Sequence, residues 1–191
     1  MAYCNQTLAG ITLDCTNSMG GIKTVYIANY GDVANVEVGT DGEITEIAMK
    51  EPTVKFKPYQ FRKQTGSLTS TLNVDETTGL NYVSSELSLV FTKQETAKRL
   101  EIAALSIGQL AVIVEDCNGK YHYLGKDDYV SASAGGANTG TSKSDANSYT
   151  LTLKDESTTY PHLVAKEAVK AVVEGTTSNG GASNGGGTEL G

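Results

Sequence analysis

Two neighbouring segments decide the fold: Gly66-Ser-Leu-Thr-Ser-Thr-Leu-Asn-Val-Asp75 and Tyr82-Val-Ser-Ser-Glu-Leu-Ser-Leu-Val-Phe-Thr92. Apolar and polar residues alternate in both, which is typical of antiparallel strands with one face buried and the other in water. We therefore predict strands over 66–75 and 82–92. The residues predicted to face inward are Leu68, Leu72, Val74, Val83, Leu87, Leu89 and Phe91, and those predicted to face water are Thr69, Thr71, Asn73, Ser84, Glu86 and Ser88.

The water-facing side of this predicted hairpin is neutral to acidic. Residues 66–92 contain no Lys or Arg, whereas Asp75, Glu76 and Glu86 are acidic. Any antiparallel sheet can show such a face to water. However, exposed edge strands of monomers often carry Lys, which blocks pairing with other chains. Long strands without that protection also fit a sheet whose edges are covered by another subunit, and the sequence leaves both interpretations open.

A helix is predicted directly after the hairpin. Thr92 and Glu95 have the spacing of a capping box, in which the two side chains satisfy the first free N–H groups of a helix. Leu100, Ala103, Ala104 and Ile107 then recur at helical spacing, which predicts an apolar face packed on the core. Gly108 is expected to end the helix.

The rest of the chain divides into an N-terminal arm (1–19), a β domain (20–174) and a flexible Gly/Ser/Asn-rich tail (175–191). A two-residue turn at Asn118-Gly119 predicts that Glu115 lies opposite His122 in a hairpin. Residues 131–148 are small and polar, which predicts a long mobile loop. Residues 165–173 fit either a helix or a strand. We expect a mainly β fold, a β-sandwich or barrel with one flanking helix.

Composition limits the classes of function. The chain has 191 residues and a net charge of −7, which argues against holding nucleic acid through counterion release but not against letting it pass. Three scattered cysteines indicate reduced thiols. The sequence shows neither a secretion signal nor a membrane span, so a soluble cytoplasmic product, or one assembled in the cytoplasm, is expected.

Three weak signals of chemistry are outweighed by ordinary structural interpretations. Cys117 and His122 are better explained as a hairpin thiol and a surface histidine than as a nucleophile and its base. The glycine-rich segment 135–144 lacks the Lys position of a phosphate loop. Asp127-Asp128 fits a solvated turn better than a cation site. We therefore expect no enzyme activity, no metal and no cofactor.

The order and spacing of several segments resemble a known family. The segments are Phe61 to Val74, Ser85 to Lys93, Glu95 to Leu105, Asp116 to Gly125, the small-residue loop ending at Asp145, the predicted strand Tyr149 to Leu153 and the closing Tyr160-Pro161. Together they resemble the major tail tube proteins of tailed bacteriophages, in the form found in phages and prophages of Bacteroides-like bacteria. The resemblance implies a β-sandwich with a flanking helix. It also implies that six copies join their inner strands into one continuous barrel.

In such a family, rings stack into a hollow tube, arms, loops and tails bridge neighbouring rings, and genome DNA passes down the lumen. The implied location is the virion tail, assembled in the host cytoplasm. The implied partners are further copies of the chain and tape-measure, terminator and baseplate or neck proteins, with no membrane. The resemblance implies no active site and no cofactor.

This resemblance implies a role for the water-facing side of the hairpin. It implies that the lumen is lined by Thr69, Thr71, Asn73, Ser84, Glu86 and Ser88. A further hypothesis is that basic residues of one ring contact acidic residues of the next. The basic residues are Lys50, Lys55, Lys57, Arg62 and Lys63, and the acidic residues are Asp75, Glu76, Asp127 and Asp128. The alternatives are a tail terminator, neck or head-decoration protein, the inner tube of a contractile injection system, and, from another class, a sugar-binding module.

Overall fold

Strands make up most of the regular structure in residues 8–173, the part of the chain that the computed structural model describes. The strands are β1 (Ile22–Asn29), β2 (Val33–Val38), β3 (Ile44–Met49), β4 (Lys57–Tyr59), β5 (Gly66–Asp75), β6 (Leu80–Thr92), β7 (Leu110–Asp116), β8 (Tyr121–Leu124), β9 (Ser131–Asn138), β10 (Ser148–Ser157) and β11 (His162–Val164). The helices are α1 (Thr96–Ile107) and α2 (Lys166–Val172), and a short 3-10 turn covers Tyr30–Asp32.

These strands form two sheets. The larger has seven strands in the order β2-β3-β11-β8-β7-β1-β4, and the smaller has four in the order β5-β6-β10-β9. All neighbouring strands are antiparallel except β11 and β3. The predicted mainly β fold is therefore confirmed.

The two sheets pack face to face around one apolar core. Leu87, Leu89, Leu151 and Leu153 of the four-stranded sheet meet Val25, Ile27, Val112 and Val114 of the seven-stranded sheet. A second apolar cluster lies on the opposite face of the seven-stranded sheet, where α2 covers it. Strand β7 is consequently buried on both faces, in agreement with its nearly continuous apolar sequence. The prediction of one flanking helix was wrong, because α2 forms this extra layer.

The β5–β6 hairpin agrees with the prediction for most of its length. Val83, Leu87, Leu89 and Phe91 are buried, and Leu68 packs against the same core. At the turn end of β5, however, Leu72 and Val74 are 45% and 61% exposed although they share the inward face with Leu68. The inward face of β5 is thus left uncovered at this end.

Helix α1 has the predicted end but not the predicted start. Gly108 is the C-cap residue, where a Cβ would lie 3.0 Å from Leu110 Cδ2. The predicted capping box is wrong, because Thr92 still belongs to β6 and the N-cap residue is Glu95. The Glu95 carboxylate instead pairs with Lys93 Nζ at 2.7 Å.

The apolar stripe of α1 also faces the other way from the prediction. Leu105 is buried and Ile102 packs partly on the core, whereas Leu100 and Ile107 are 60% and 87% exposed. Two apolar stripes compete on this helix, and the tertiary packing selects the narrower one. The wider stripe, Leu100, Ala103, Ala104 and Ile107, stays in solvent.

The β7–β8 hairpin has a longer turn than predicted. Val114 lies opposite His122 and Glu115 opposite Tyr121, so the predicted pairing of Glu115 with His122 is wrong by one residue. The Asp116 carboxylate accepts the N–H groups of Asn118 and Lys120, each at 2.8 Å. Only the glycine of Asn118-Gly119 has a positive φ, 75°. These features are typical of a turn longer than the two-residue type.

The segment predicted as a mobile loop, 131–148, contains strand β9. Ser131–Asn138 pairs with β10 over seven register positions. Its Ser, Ala and Gly side chains are too small to show a clear alternation, so pairing with β10 rather than intrinsic preference decides its conformation. The ambiguous segment 165–173 forms α2, which ends at Val172.

The two chain ends were predicted as an arm and a tail. Residues 8–19 carry no strand or helix, and they are exposed throughout. The tail prediction, 175–191, and the first seven residues lie outside the described part of the chain.

Candidate assembly surface

The solvent face of the four-stranded sheet carries the residues proposed to line a lumen. Thr69 lies opposite Glu86, and Thr71 lies opposite Ser84, while Ser88 follows on the same face of β6. A shallow depression of about 260 Å³ marks this face; it is lined by Thr69, Thr71, Asn73, Tyr82, Ser84, Glu86 and Lys154. The structure therefore brings the six predicted side chains to one face.

Two further residues that line this depression, Tyr82 and Lys154, were not predicted from the sequence. Tyr82 has the same parity as Ser84, so the alternation alone identifies it. Lys154 belongs to β10 and lies opposite Glu86, a pairing that no local pattern reveals.

Lys154 does not make the face basic. Its Nζ lies 2.7 Å from Glu156 Oε1, and this hydrogen bond, with the charge of Glu156, raises the pKa of Lys154. Because Glu156 neutralises Lys154, Glu86 remains as an excess acid in the middle of the face. Hydroxyl and amide groups make up most of what surrounds it.

The edges of the two sheets differ in how they are protected. The seven-stranded sheet ends in β4, which has three residues and contains Lys57 and Pro58, and in β2, which has two register shifts and carries Glu37. Short length, Lys, Pro and bulges are the usual means of blocking an edge.

The edge strands of the four-stranded sheet have fewer of these protections, namely a single register shift in β9 between Ala132 and Ala134. Strand β5 has ten residues, β9 has eight, and neither contains Lys, Arg or Pro. Each strand of this sheet is antiparallel to its neighbour, so β5 and β9 run in opposite directions. Edge β5 of one copy can therefore pair with edge β9 of another and continue the antiparallel order.

Charged residues predicted to join rings lie at opposite ends of this sheet. Arg62 and Lys63 precede β5, whereas Asp75 and Glu76 follow it, and ten extended residues separate them by about 33 Å. Asp127 shares the end of Asp75, because it accepts a hydrogen bond from the N–H of Thr158 (3.0 Å), the residue after β10. Asp128 is its neighbour in the chain.

Some of these charged groups already have partners within the chain. Asp75 Oδ1 accepts the N–H of Thr77 at 2.8 Å, and such hydrogen bonds lower the pKa of Asp75. Asp127 is likewise held by Thr158. Lys55 donates to the backbone oxygen of Ala171. Lys50 follows β3, Lys55 precedes β4 and Lys57 belongs to β4, all in the seven-stranded sheet, whereas Arg62 and Lys63 precede β5 of the other sheet.

The side chains considered for chemistry are engaged in local structure. His122 Nε2 lies 3.5 Å from Asp116 Oδ2, and Asp128 accepts the N–H of Tyr129 at 2.7 Å. Within residues 8–173, no group of three or more His, Cys, Asp or Glu side chains is placed to hold a metal ion. Neither of the two described helices is long and apolar enough to cross a lipid bilayer.

Comparisons of the chain with protein-family models, with curated proteins and with solved structures found no match.

Proposed function

We propose that this protein is the repeating subunit of a hollow tube of stacked rings, and that the tube is a phage tail tube through which DNA is ejected. The observation that carries the proposal is the contrast between the two sheets. The seven-stranded sheet has protected edges, whereas the four-stranded sheet ends in two long strands, β5 and β9, which contain no Lys, Arg or Pro and have a single register shift between them, in β9. Such edges are a liability in a monomer and are removed when a sheet closes.

Pairing of β5 with β9 of the next copy is a head-to-tail contact. Contacts of this kind form a ring when the rotation between copies closes. Six copies, the number that the resemblance implies, would join six sheets of four strands each. One face of each sheet is already packed against the seven-stranded sheet, so the hydroxyl-rich face is the one left to line the lumen.

The chemistry of that face supports passage of DNA without binding. Proteins hold DNA mainly by neutralising phosphates with Lys and Arg. On this face Lys154 is neutralised by Glu156, and Glu86 adds a negative charge. A lining of Thr, Ser and Asn around a carboxylate offers the phosphates no unpaired cation to bind.

Exposed apolar groups support self-association more generally. Leu100 and Ile107 of α1 and Leu72, Val74 and Leu80 of the hairpin are each at least 45% exposed. Exposed apolar clusters of this kind are typical of protein interaction sites. The opposite charges at the two ends of the sheet favour stacking of one ring on the next.

Proline variants of β9 test the ring contact. Alternate residues of an edge strand direct their N–H groups outward. Ala134 and Ala137 differ in parity, so one of them has a free outward N–H that proline removes without breaking the pairing with β10. Ala134→Pro and Ala137→Pro are made separately, with Ala134→Ser and Ala137→Ser as controls.

Negative-stain electron microscopy and sedimentation give the readout, with circular dichroism to check folding. We expect hollow rings or tubes from the wild type and both serine variants. At least one proline variant should stay folded and sediment as a monomer. Normal assembly of both proline variants would contradict pairing through β9, and rings that never stack would identify a single-ring component such as a tail terminator.

A further inference from the structure

The side chain of one asparagine joins the end of the N-terminal arm to the β7–β8 turn of the same chain. The N–H of Met19 donates to Asn118 Oδ1 at 2.8 Å, and Asn118 Nδ2 donates to the backbone oxygen of Met19 at 2.9 Å. Nearby, the N–H of Cys117 donates to the backbone oxygen of Gly21 at 3.0 Å. Asn118 thus supplies two of these three hydrogen bonds.

The two contacts of Asn118 with Met19 require an amide. The Met19 N–H needs an acceptor and the Met19 oxygen needs a donor, and the side chain of asparagine offers one of each. An ionised carboxylate at the same place offers acceptors only, so one of its oxygens would face the Met19 oxygen. The junction between the arm and the turn is therefore specific to the amide form of residue 118.

The residue after Asn118 makes this amide chemically labile. Gly119 has no Cβ, so its backbone nitrogen can approach the preceding side chain closely. Both residues are exposed, which gives water access to them. The turn is also open on this side, because a Cβ added to Gly119 would meet nothing within 4 Å.

We propose that Asn118 is a site of spontaneous deamidation, and that this reaction releases the arm from the β7–β8 turn. The backbone nitrogen of Gly119 gives up its proton to water and forms a bond to Asn118 Cγ. The bond from Cγ to Nδ2 breaks, and ammonia leaves with the proton. Water then opens the resulting succinimide at either carbonyl. The net change is the uptake of one water and the loss of one ammonia, and the product is aspartate or isoaspartate.

Hydrogen bonds at the junction oppose the first step. Met19 holds both ends of the Asn118 amide, and the N–H of Gly119 donates to the backbone oxygen of Asp116 at 3.2 Å. To bring Cγ to the Gly119 nitrogen, the Asn118 side chain must turn away from Met19. The reaction is therefore slow while the arm is attached and faster when the attachment is weakened.

The product cannot restore the junction. Both aspartate and isoaspartate lack the N–H groups that Nδ2 donates, so the Met19 oxygen loses its donor. The new carboxylate also lies beside Asp116, whose Oδ1 accepts the N–H of residue 118 at 2.8 Å, and like charges at short range repel. Isoaspartate in addition lengthens the backbone of the turn by one methylene group.

Peptide mass spectrometry of the full-length protein during storage at mildly alkaline pH measures the reaction. The Asn-Gly pairs 179–180 and 184–185 of the same chain serve as references. Met19→Pro removes the N–H that Asn118 Oδ1 accepts, whereas Met19→Ala keeps it. We expect detectable deamidation at Asn118 in the wild type and in Met19→Ala. In Met19→Pro it should be about fivefold faster, as expected for one lost hydrogen bond, with unchanged rates at the references.

Hydrogen exchange tests the release of the arm separately. Asn118→Asp supplies the aspartate product directly, and circular dichroism checks that the variant folds. Exchange at the N–H groups of Met19 and Cys117 should be about fivefold faster than in the wild type, because both are hydrogen-bonded at the junction. Asn17→Asp makes the same charge change within the arm and should leave exchange at both positions as in the wild type.

The inference would be wrong if Asn118 kept its amide in the wild type and in Met19→Pro while Asn179 and Asn184 deamidated. Equal rates at Asn118 in Met19→Pro and Met19→Ala would contradict control of the reaction by the junction. Unchanged exchange at Met19 and Cys117 in Asn118→Asp would contradict release of the arm, and this result does not depend on how Met19→Pro folds. None of these outcomes depends on assembly of a tube.

Discussion

Asp155 is buried on β10, with 3% of its surface exposed, at the junction of the two sheets. Its carboxylate accepts the N–H of Gly125 at 3.1 Å. Burial raises the pKa of Asp155 to about 6, and the nearby charges of Asp127, Asp128 and Glu156 act in the same direction. The hydroxyl of Tyr123, which lines the same small cavity, is buried without a hydrogen-bond partner in the described part of the chain. Asp155 therefore makes the free energy of unfolding depend on pH.

We predict that the contribution of Asp155 to wild-type stability falls as the pH rises from about 4 to 6. In that range the unfolded chain releases the Asp155 proton, with an ordinary pKa of 3.8, while the folded chain still holds it. The difference between the folded and unfolded pKa values of Asp155 corresponds to about 3 kcal/mol, since one pKa unit is worth about 1.4 kcal/mol. Asp155→Asn removes this loss, so its stability relative to wild type should increase by that amount from pH 4 to pH 7.

Urea unfolding at fixed protein concentration measures this difference. The control is Thr152→Ser, which changes a neutral side chain on the same strand and should leave the pH dependence as in wild type. Parallel stability curves for Asp155→Asn and wild type would show that Asp155 ionises normally in the folded protein.

Helix α1 shows how a correct element can be predicted with the wrong orientation. Its existence and its end at Gly108 follow from local sequence, because apolar spacing and a terminal glycine are local signals. Which of two apolar stripes is buried depends on the sheets it packs against. That information is distributed over distant parts of the chain.

The orientation of α1 gives a matched pair of stability predictions. Leu105→Ala should lower the free energy of unfolding by about 3 kcal/mol, because it removes buried methyl groups and leaves a cavity. Leu100→Ala should change it by no more than about 0.5 kcal/mol, since this side chain is exposed. Urea unfolding of the dissociated protein checks both values, and a larger effect at position 100 would restore the orientation predicted from the sequence.

Some strands could likewise be predicted from their own sequence, whereas others depend on distant parts of the chain. Alternation predicted β5 and β6 and the face on which their polar residues lie, because each segment carries its own period. Strand β9 was missed, since Ser, Ala and Gly give no periodic contrast and only the partner strand β10 defines it. Lys154 was missed for the same reason, as its place beside Glu86 depends on strand pairing.

At the scale of the whole molecule, the lumen proposal concerns a charge that repeats in every subunit. Glu86→Lys replaces the excess acid and places a second cation beside Lys154. In a ring this change repeats in each copy, so a weakly acidic lining becomes a basic one. We predict that assembled Glu86→Lys particles retain DNA at low salt and release it as salt rises, as expected for counterion release.

Gel-shift and filter-binding assays on assembled particles give the measurement. Glu46→Lys makes the same charge change at an exposed position of the seven-stranded sheet, and it should retain far less DNA. Equal retention by the two variants would remove Glu86 from the proposed lumen. In a phage, Glu86→Lys should also lower infectivity while leaving tail length unchanged.

Each subunit is electrostatically polar along β5, because Arg62 and Lys63 lie at one end of this strand and Asp75 and Glu76 at the other. In the proposed stack every layer would repeat that direction, so the polymer would have one cationic terminus and one anionic terminus. Two growing filaments that met by like termini would repel, and only unlike termini could anneal. We therefore expect elongation to proceed without reversals and to slow as added salt screens the attraction, and we expect the two ends to bind chemically different capping proteins.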